Sequence, residues 1–339
     1  MDIKTFDQCI EIANSGGGNK HLLLGNGFSV ALFPQIFNYI KLAEQIDNDD
    51  IKQLFKEFET SDFEFVMLKL IECLRVLDYY ALNSDLYNKI KEDVNILKEI
   101  LIKVIAQNHP ENPKAITDAQ YNSCFHFLSH FQKGKVYTFN YDLLLYWVFM
   151  HFVDSPDQKL KVDDGFRTYE ENESMVTWEI GRERQQNLYY IHGAMHLFRD
   201  KWSVIEKFNW RNTGVKISDQ VRMAVSENKL PIFISEGTTE HKLKRITENG
   251  YLTRAMASLK SIGGNLFIFG HSIRDEDDHV FDLIIKDSKV KNIFVSVFGD
   301  MTSSANKHIK LKIEKWNSLD TGKTFQLYDA QSAQVWNRC

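Results

Sequence analysis

The stretch His21-Leu22-Leu23-Leu24-Gly25-Asn26-Gly27-Phe28-Ser29 constrains the fold more than any other part of the chain. A short apolar run bounded by turn formers reads as a buried strand of a parallel sheet, and the residues after Ser29 supply a following helix. Gly25 and Gly27 let backbone N–H groups come close to a ligand, and a helix N-terminus behind such a turn is the anion site of nucleotide-binding folds. Gly-Asn-Gly also suits a plain tight turn, and the third glycine of the usual dinucleotide fingerprint is missing.

The same pattern then repeats. Apolar runs at 135–139, 187–191, 231–235, 265–269 and 292–298 stop respectively at Asn140-Tyr141-Asp142, His192-Gly193, Glu236-Gly237, Gly270-His271-Ser272 and Gly299-Asp300, and a short run follows at 324–328. Helical periods separate most of them. This predicts an α/β chain: a doubly wound, Rossmann-like parallel sheet of about six strands with its active edge at the strand ends. Residues 1–339 form one domain in this reading. It carries a large helical insert at 30–130 and an irregular excursion, or small hairpin, at 154–187. Residues 1–15 form a helix with Phe6, Ile10 and Ala13 on one face, ended by the glycine run at 16–18. Within the insert, Ser61 or Asp62 caps a helix with Glu64 near its third position, and Glu64 is a second-rank candidate to face the nucleotide site.

Composition narrows the function classes. Hydrophobic residues at 43% and charged residues at 26% fit a globular chain with a large core. A net charge of -5 gives no electrostatic reason to expect nucleic acid. Met1-Asp2-Ile3-Lys4 begins no signal peptide, and no run approaches the roughly 18 apolar residues of a membrane span. A cytoplasmic location is therefore expected. Cys9, Cys73, Cys124 and Cys339 form no Cys-x-x-Cys pair, so no zinc ribbon is expected, and Cys73 and Cys124 are predicted to be buried.

Ligands of open α/β sheets bind at the strand carboxyl ends, which singles out Asn140 and Asp142. Either can instead cap the helix predicted at 143–152, and Asp142 can cap while Asn140 faces the ligand. His192 and His196 stand at a spacing that binds metal from one helix face, but no nearby carboxylate or cysteine completes a set, so no metal is expected. The basic stretch at 241–245 is a solvated helix face or a set of phosphate partners. Asp275-Glu276-Asp277-Asp278 reads as acidic capping and solvation at a helix start.

Taken together, Gly25-Asn26-Gly27-Phe28-Ser29, Thr138-Phe139-Asn140-Tyr141-Asp142, His192-Gly193 and Gly270-His271-Ser272 with Asp275 and Asp277 resemble the ordered signature of sirtuin-like proteins. The resemblance is nearest to bacterial sirtuin-like NAD-consuming proteins and covers residues 20 to 300. It implies that NAD lies across the strand ends as substrate, with Asn140 and His192 as the residues on which catalysis depends and Asp142 beside them. It places Gly25, Asn26, Gly27, Phe28, Ser29 and Thr138 around the cofactor, Gly270 and Ser272 near it, and Asp300 at the adenosine ribose. The zinc module of protein-deacylating sirtuins is absent. His271 stands where deacylases carry threonine, and Asn26 where they carry alanine. Water then replaces acyl-lysine as acceptor, and the implied activity is hydrolysis of NAD to ADP-ribose and nicotinamide in antiphage defence. An activating protein or phage-derived trigger and a homo-oligomer are the implied partners. The competing expectation is a non-catalytic sensor of NAD or ADP-ribose.

Overall fold

The computed structural model describes residues 2–36, 44, 46–60, 63–80, 85–153, 155, 157–168, 175–183, 185–199, 204–209, 217–226, 231–234 and 239–338. Seven parallel strands form the main sheet: β1 (Ile3–Lys4), β2 (Lys20–Leu24), β3 (Val136–Thr138), β6 (Leu188–Tyr190), β10 (Gly263–Phe269), β11 (Lys289–Val297) and β12 (Thr324–Asp329). Their spatial order is β1-β12-β11-β10-β2-β3-β6. Counted from β2, the chain winds outward through β3 and β6, returns to the centre, and winds the other way through β10, β11 and β12. That is the doubly wound Rossmann order, and its reversal falls between β2 and β10. A two-residue edge strand, β1, pairs with β12 and was absent from the sequence-based expectation.

Burial on both faces explains the apolar strands. Leu22, Leu23, Leu24, Leu266, Phe267, Phe294 and Val295 are fully buried. Helix α1 (Phe6–Gly16) is opened by a capping box between Thr5 and Gln8 and lays Phe6, Cys9, Ile10 and Ala13 inward, the face expected from spacing. The Phe6 ring meets those of Phe127, Phe267 and Tyr328 at 5.4, 5.7 and 5.9 Å. Helix α2 (Gly27–Leu32) follows β2. The 30–130 span then contains α3 (Asp49–Glu57), α4 (Phe63–Tyr79), α5 (Asp85–Asn108) and α6 (Asp118–Ser129). The last of these belongs to the layer covering the sheet, since Phe127 also meets Phe269 at 5.4 Å. Ser61, Asp62 and the Glu64 side chain lie outside the described residues.

The run at 231–235 does not join the parallel sheet. Its described part, β9 (Pro231–Phe233), pairs antiparallel with β7 (Gly193–Arg199) in a second sheet of order β4-β5-β8-β7-β9. Here β4 is Phe166–Arg167, β5 is Met175–Trp178 and β8 is Ile205–Phe208. An apolar triplet carries no information about strand direction. The direction comes from Gly193, whose φ of +87° turns the chain straight from β6 into β7. The hairpin expected within 154–187 exists as β4 and β5, but as part of this sheet. Glu236 and Gly237 lie outside the described residues, as does Cys339. Cys124 is buried as expected and Cys73 is exposed, a correction that follows from its place on an outward face of α4. Among the described residues no helix is long and apolar enough to cross a membrane.

His21 joins three strands in the core. Its Nδ1 accepts the Lys135 N–H at 3.0 Å and its Nε2–H donates to the Gly263 carbonyl at 3.1 Å, a pairing only the neutral ring makes. Burial lowers its pKa to about 4 from the ordinary 6.5. Between those values the unfolded chain binds the extra proton and the folded chain does not, so stability falls as pH drops from about 6.5 to about 4. The urea midpoint is expected to decline across that window by an amount worth on the order of 3 kcal/mol for His21. A His21→Gln variant, followed by the same titration, is expected to show a shallower decline.

Candidate active site

At the carboxyl ends of β2 and β10, which are hydrogen-bonded neighbours, two glycine turns meet. The Gly25 N–H donates to the Phe269 carbonyl at 2.9 Å, and the Gly27 N–H to the Gly270 carbonyl at 2.8 Å. A Cβ on Gly25 would stand 2.6 Å from the Gly270 oxygen, and one on Gly27 would stand 2.6 Å from the Gly270 Cα. Gly270 itself has φ +68°. The glycines are therefore required by the contact of the two turns. Their N–H groups, expected to face a phosphate, are donated inside the protein, as are those of Phe28 and Ser29, to the carbonyls of Gly25 and Asn26. Phe28 is a core residue against the Trp336 ring at 4.8 Å, while Asn26 is exposed at the tip and makes no side-chain cap.

Beyond β3 the predicted residues converge. Thr138 Oγ1 accepts the Asn140 N–H at 2.9 Å. Asp142 Oδ1 accepts the Leu144 N–H at 2.9 Å and so caps α7 (Leu144–Val153). Its Oδ2 receives the Ser29 hydroxyl at 2.5 Å, and Ser29 Oγ in turn accepts the Asn140 amide N–H at 2.9 Å. A hydroxyl has one proton to give. Because that proton goes to the carboxylate, Ser29 presents lone pairs to Asn140, which fixes the amide with nitrogen inward. Asn140 Oδ1 is left buried and without a partner. Burial raises the Asp142 pKa, opposed by the hydrogen bonds from Ser29 and Leu144. His109 was missed by sequence reasoning. Its buried Nε2 accepts the Leu143 N–H at 3.0 Å, a cap that no local pattern announces.

His192 stands two residues beyond Tyr190, which pairs with Thr138, so it stands level with Asn140 on the neighbouring strand. The Phe139 ring separates two histidines, with centroids 4.7 Å from His192 and 4.3 Å from His271. His192 Nε2 faces His279 Nε2 at 3.0 Å. Asp277 lies beneath this group: its Oδ1 is 3.1 Å from Lys242 Nζ and 3.9 Å from His192 Nε2, and its Oδ2 is 3.2 Å from His271 Nε2. Burial pushes the His192 pKa well below 6.5, partly offset by the Asp277 charge, which keeps the ring neutral. Asp277 is held well below the ordinary carboxylate range by the histidines and Lys242 despite its burial.

The acidic run is thus no simple solvated cap. Asp275 and Asp278 both bind Lys312, at 2.7 and 2.6 Å, and Asp277 is buried. His192 and His196 do not share a helix face, because His192 lies in the turn between β6 and β7 and His196 lies within β7. His196 is sealed with both ring nitrogens unpartnered and packs on Tyr146 and Tyr190. The donor atoms of His192, Asp277 and His279 do lie within 4.8 Å of one another. However, the two imidazoles are within 8° of parallel, with their ring centroids 5.1 Å apart and Nε2 facing Nε2. Lone pairs so directed meet each other, whereas a tetrahedral ion at about 2.0–2.1 Å needs them to converge on a third point. Lys242 already supplies the cation at Asp277. As placed, the group is joined by the His192–His279 hydrogen bond and by the contacts of Asp277 with Lys242 and His271.

Ser272 is half-buried in the loop after β10, next to Ile273, a fully buried β-branched residue at φ +46°. Such backbone is costly and is held here by its surroundings, including the Ile273 N–H bond to His271 Nδ1 at 2.8 Å. Asp300 stands apart. It is exposed behind β11, with both carboxylate oxygens taken by Thr302.

The family described as "Domain of unknown function (DUF4917)" matches residues 22–336. The chain belongs to it. No curated protein matches the chain. The matched span runs from β2 to Trp336, whose indole N–H donates to the Phe28 carbonyl at 2.8 Å, so it takes in both glycine turns and every residue of the histidine network.

Gly27→Ala is expected to destabilise the protein by at least about 1–3 kcal/mol, because backbone must move to admit the Cβ. Gly16→Ala, whose Cβ meets nothing nearer than 3.5 Å, is expected to be neutral or slightly stabilising. Paired urea unfolding curves for the two variants check the contrast.

Proposed function

We propose that this protein is an NAD glycohydrolase that uses water to cleave NAD to ADP-ribose and nicotinamide, with Asn140 and His192 as its catalytic residues. The observation that carries the reading is the Asn140 amide. A buried acceptor without a partner costs stability, and here it sits at the carboxyl end of β3, one strand from the β2–β10 reversal. A ribose hydroxyl is a ligand group that would satisfy it. The Ser29–Asp142 pair holds the amide in that orientation, which is positioning of the kind that lowers barriers.

In this reading NAD is the substrate, and its ribose–nicotinamide bond is already weakened by the cationic nitrogen. Water adds at the ribose carbon, nicotinamide leaves as a neutral molecule with the bonding electron pair, and one proton is released. His192, buried and neutral, is the group suited to take that proton. The glycine turns serve as walls of the site, and the resemblance alone suggests a role in phage defence. The sensor alternative needs no proton acceptor beside Asn140.

The test is nicotinamide release from NAD by the purified protein. Asn140→Ala and His192→Ala are each expected to lower the rate by roughly 10²–10⁴-fold. Release that survives both substitutions would remove the assignment, and NAD binding without release by the wild type would favour a sensor.

A further inference from the structure

We infer that the cavity between α7 and the second sheet is a binding site for an uncharged, planar, two-ring heteroaromatic molecule that carries a ring acceptor. The site is separate from the strand-end residues and does not depend on the hydrolase reading.

Its origin is the run Val162-Asp163-Asp164-Gly165-Phe166-Arg167, which gathers two carboxylates, a glycine, a phenylalanine and a guanidinium. The chain reverses at Gly165, whose φ is +86° and where a Cβ would stand 2.6 Å from Gln186 Oε1. The turn is tied to the start of β6, because the Asn187 and Leu188 N–H groups donate to the Asp163 carbonyl at 2.8 and 3.0 Å. Held in this way, it lines a cavity of about 320 Å³ together with α7 from Tyr146 to Val153 and with Lys207 and Phe208 of β8. Asn140 and Asp142 precede the opposite end of α7. Leu188, which also lines the cavity, opens β6, whereas His192 lies beyond its other end.

Size, shape and charge define the occupant. An apolar cavity of about 150 Å³ takes one benzene, so this one has room for two fused rings. Tyr146, Phe149, Phe166 and Phe208 contribute rings to the wall, and such rings hold a planar π-system by offset or edge contacts. Arg167 meets Asp163 through two bonds, at 2.9 and 2.6 Å, and Lys207 binds Asp164. Two cations are thereby matched by two carboxylates. An ion brought between them would be desolvated without a counter-charge, so the fitting ligand is uncharged.

Lys207 supplies the polar contact. Its side chain is 8% exposed against 31% for Arg167, which places the ammonium deep and the guanidinium nearer the mouth. Its Nζ lies 4.7 and 5.1 Å from the centroids of the Tyr146 and Phe166 rings, beside the aromatic walls. An ammonium has three N–H donors. Asp164 takes one and the Tyr146 hydroxyl a second, which leaves the third for an acceptor on the edge of a bound ring.

The test uses the full chain near neutral pH and four probes: quinoline, which has two rings and an acceptor; naphthalene, the same shape without one; 2-naphthoate, an anion; and 1-octanol, an aliphatic acceptor. Calorimetry or ligand-observed NMR is expected to show one-to-one binding of quinoline with Kd below about 1 mM. Naphthalene is expected to bind at least about tenfold more weakly, since it forgoes a hydrogen bond from a charged donor. The other two are expected to be weaker than quinoline. Met150→Trp, which fills the cavity from α7 at a half-buried position, is expected to weaken quinoline binding at least about tenfold while the melting temperature is kept. The inference is overturned by an absence of saturable quinoline binding, by naphthalene binding as tightly, or by tighter binding of 2-naphthoate or 1-octanol. Unchanged quinoline binding in a folded Met150→Trp overturns it as well. Should that variant not fold, the wild type labelled with ¹³C at the methionine methyls decides: quinoline is expected to shift the Met150 methyl signal, and a signal that stays in place under saturation rules the site out.

Discussion

The halves of the sheet join where its winding reverses, through the β2–β10 ladder and, beyond it, backbone hydrogen bonds from Gly25 to Phe269 and from Gly27 to Gly270. Everything at the strand ends depends on that closure. A Cβ on any of Gly25, Gly27 or Gly270 would meet the opposing backbone at under 3 Å, so the contact is made of glycines by steric necessity. Once it is formed, Ser29 on the first half is fixed where it can take the amide of Asn140 and give its own proton to Asp142. Close approach of two turns is thereby converted into a defined orientation for one side-chain amide.

The parallel sheet was legible because buried strands are continuous apolar runs and their polar ends are abrupt. Leu22 to Leu24, Phe267 to Phe269 and Phe294 to Val297 announce themselves without help from the rest of the chain. The second sheet was not legible. β9 is three residues long, and its partner is chosen by the turn at Gly193, a feature of conformation that an apolar triplet does not encode. β1 is shorter still and exists only because β12 offers it an edge.

The candidate site divides in the same way. Asn140, Asp142 and His192 could be named from their place after strands, where local order and tertiary position coincide. The partners that give them chemistry come from elsewhere. Ser29 reaches Asp142 from helix α2, His279 reaches His192 from a helix 87 positions away in the chain, and Lys242 takes up Asp277. Four consecutive acids look solvated in isolation. Their division between Lys312 outside and Lys242 with His271 inside is decided by packing, and that division turns one of them into a buried counter-charge.

The strand order also governs how the molecule is made. β2 is the innermost strand of its half, yet the neighbour that covers its other edge, β10, emerges from synthesis long after β3 and β6. Throughout that interval the Lys20–Leu24 backbone has one unpaired edge of almost wholly apolar character, the kind of template on which other chains associate. The contact between the Gly25–Gly27 turn and Gly270 draws on both halves and therefore forms only after β10 has been made. A nascent or truncated chain that stops short of Phe269 carries Asn140 and His192 without the turn that packs on Gly25 and Gly27.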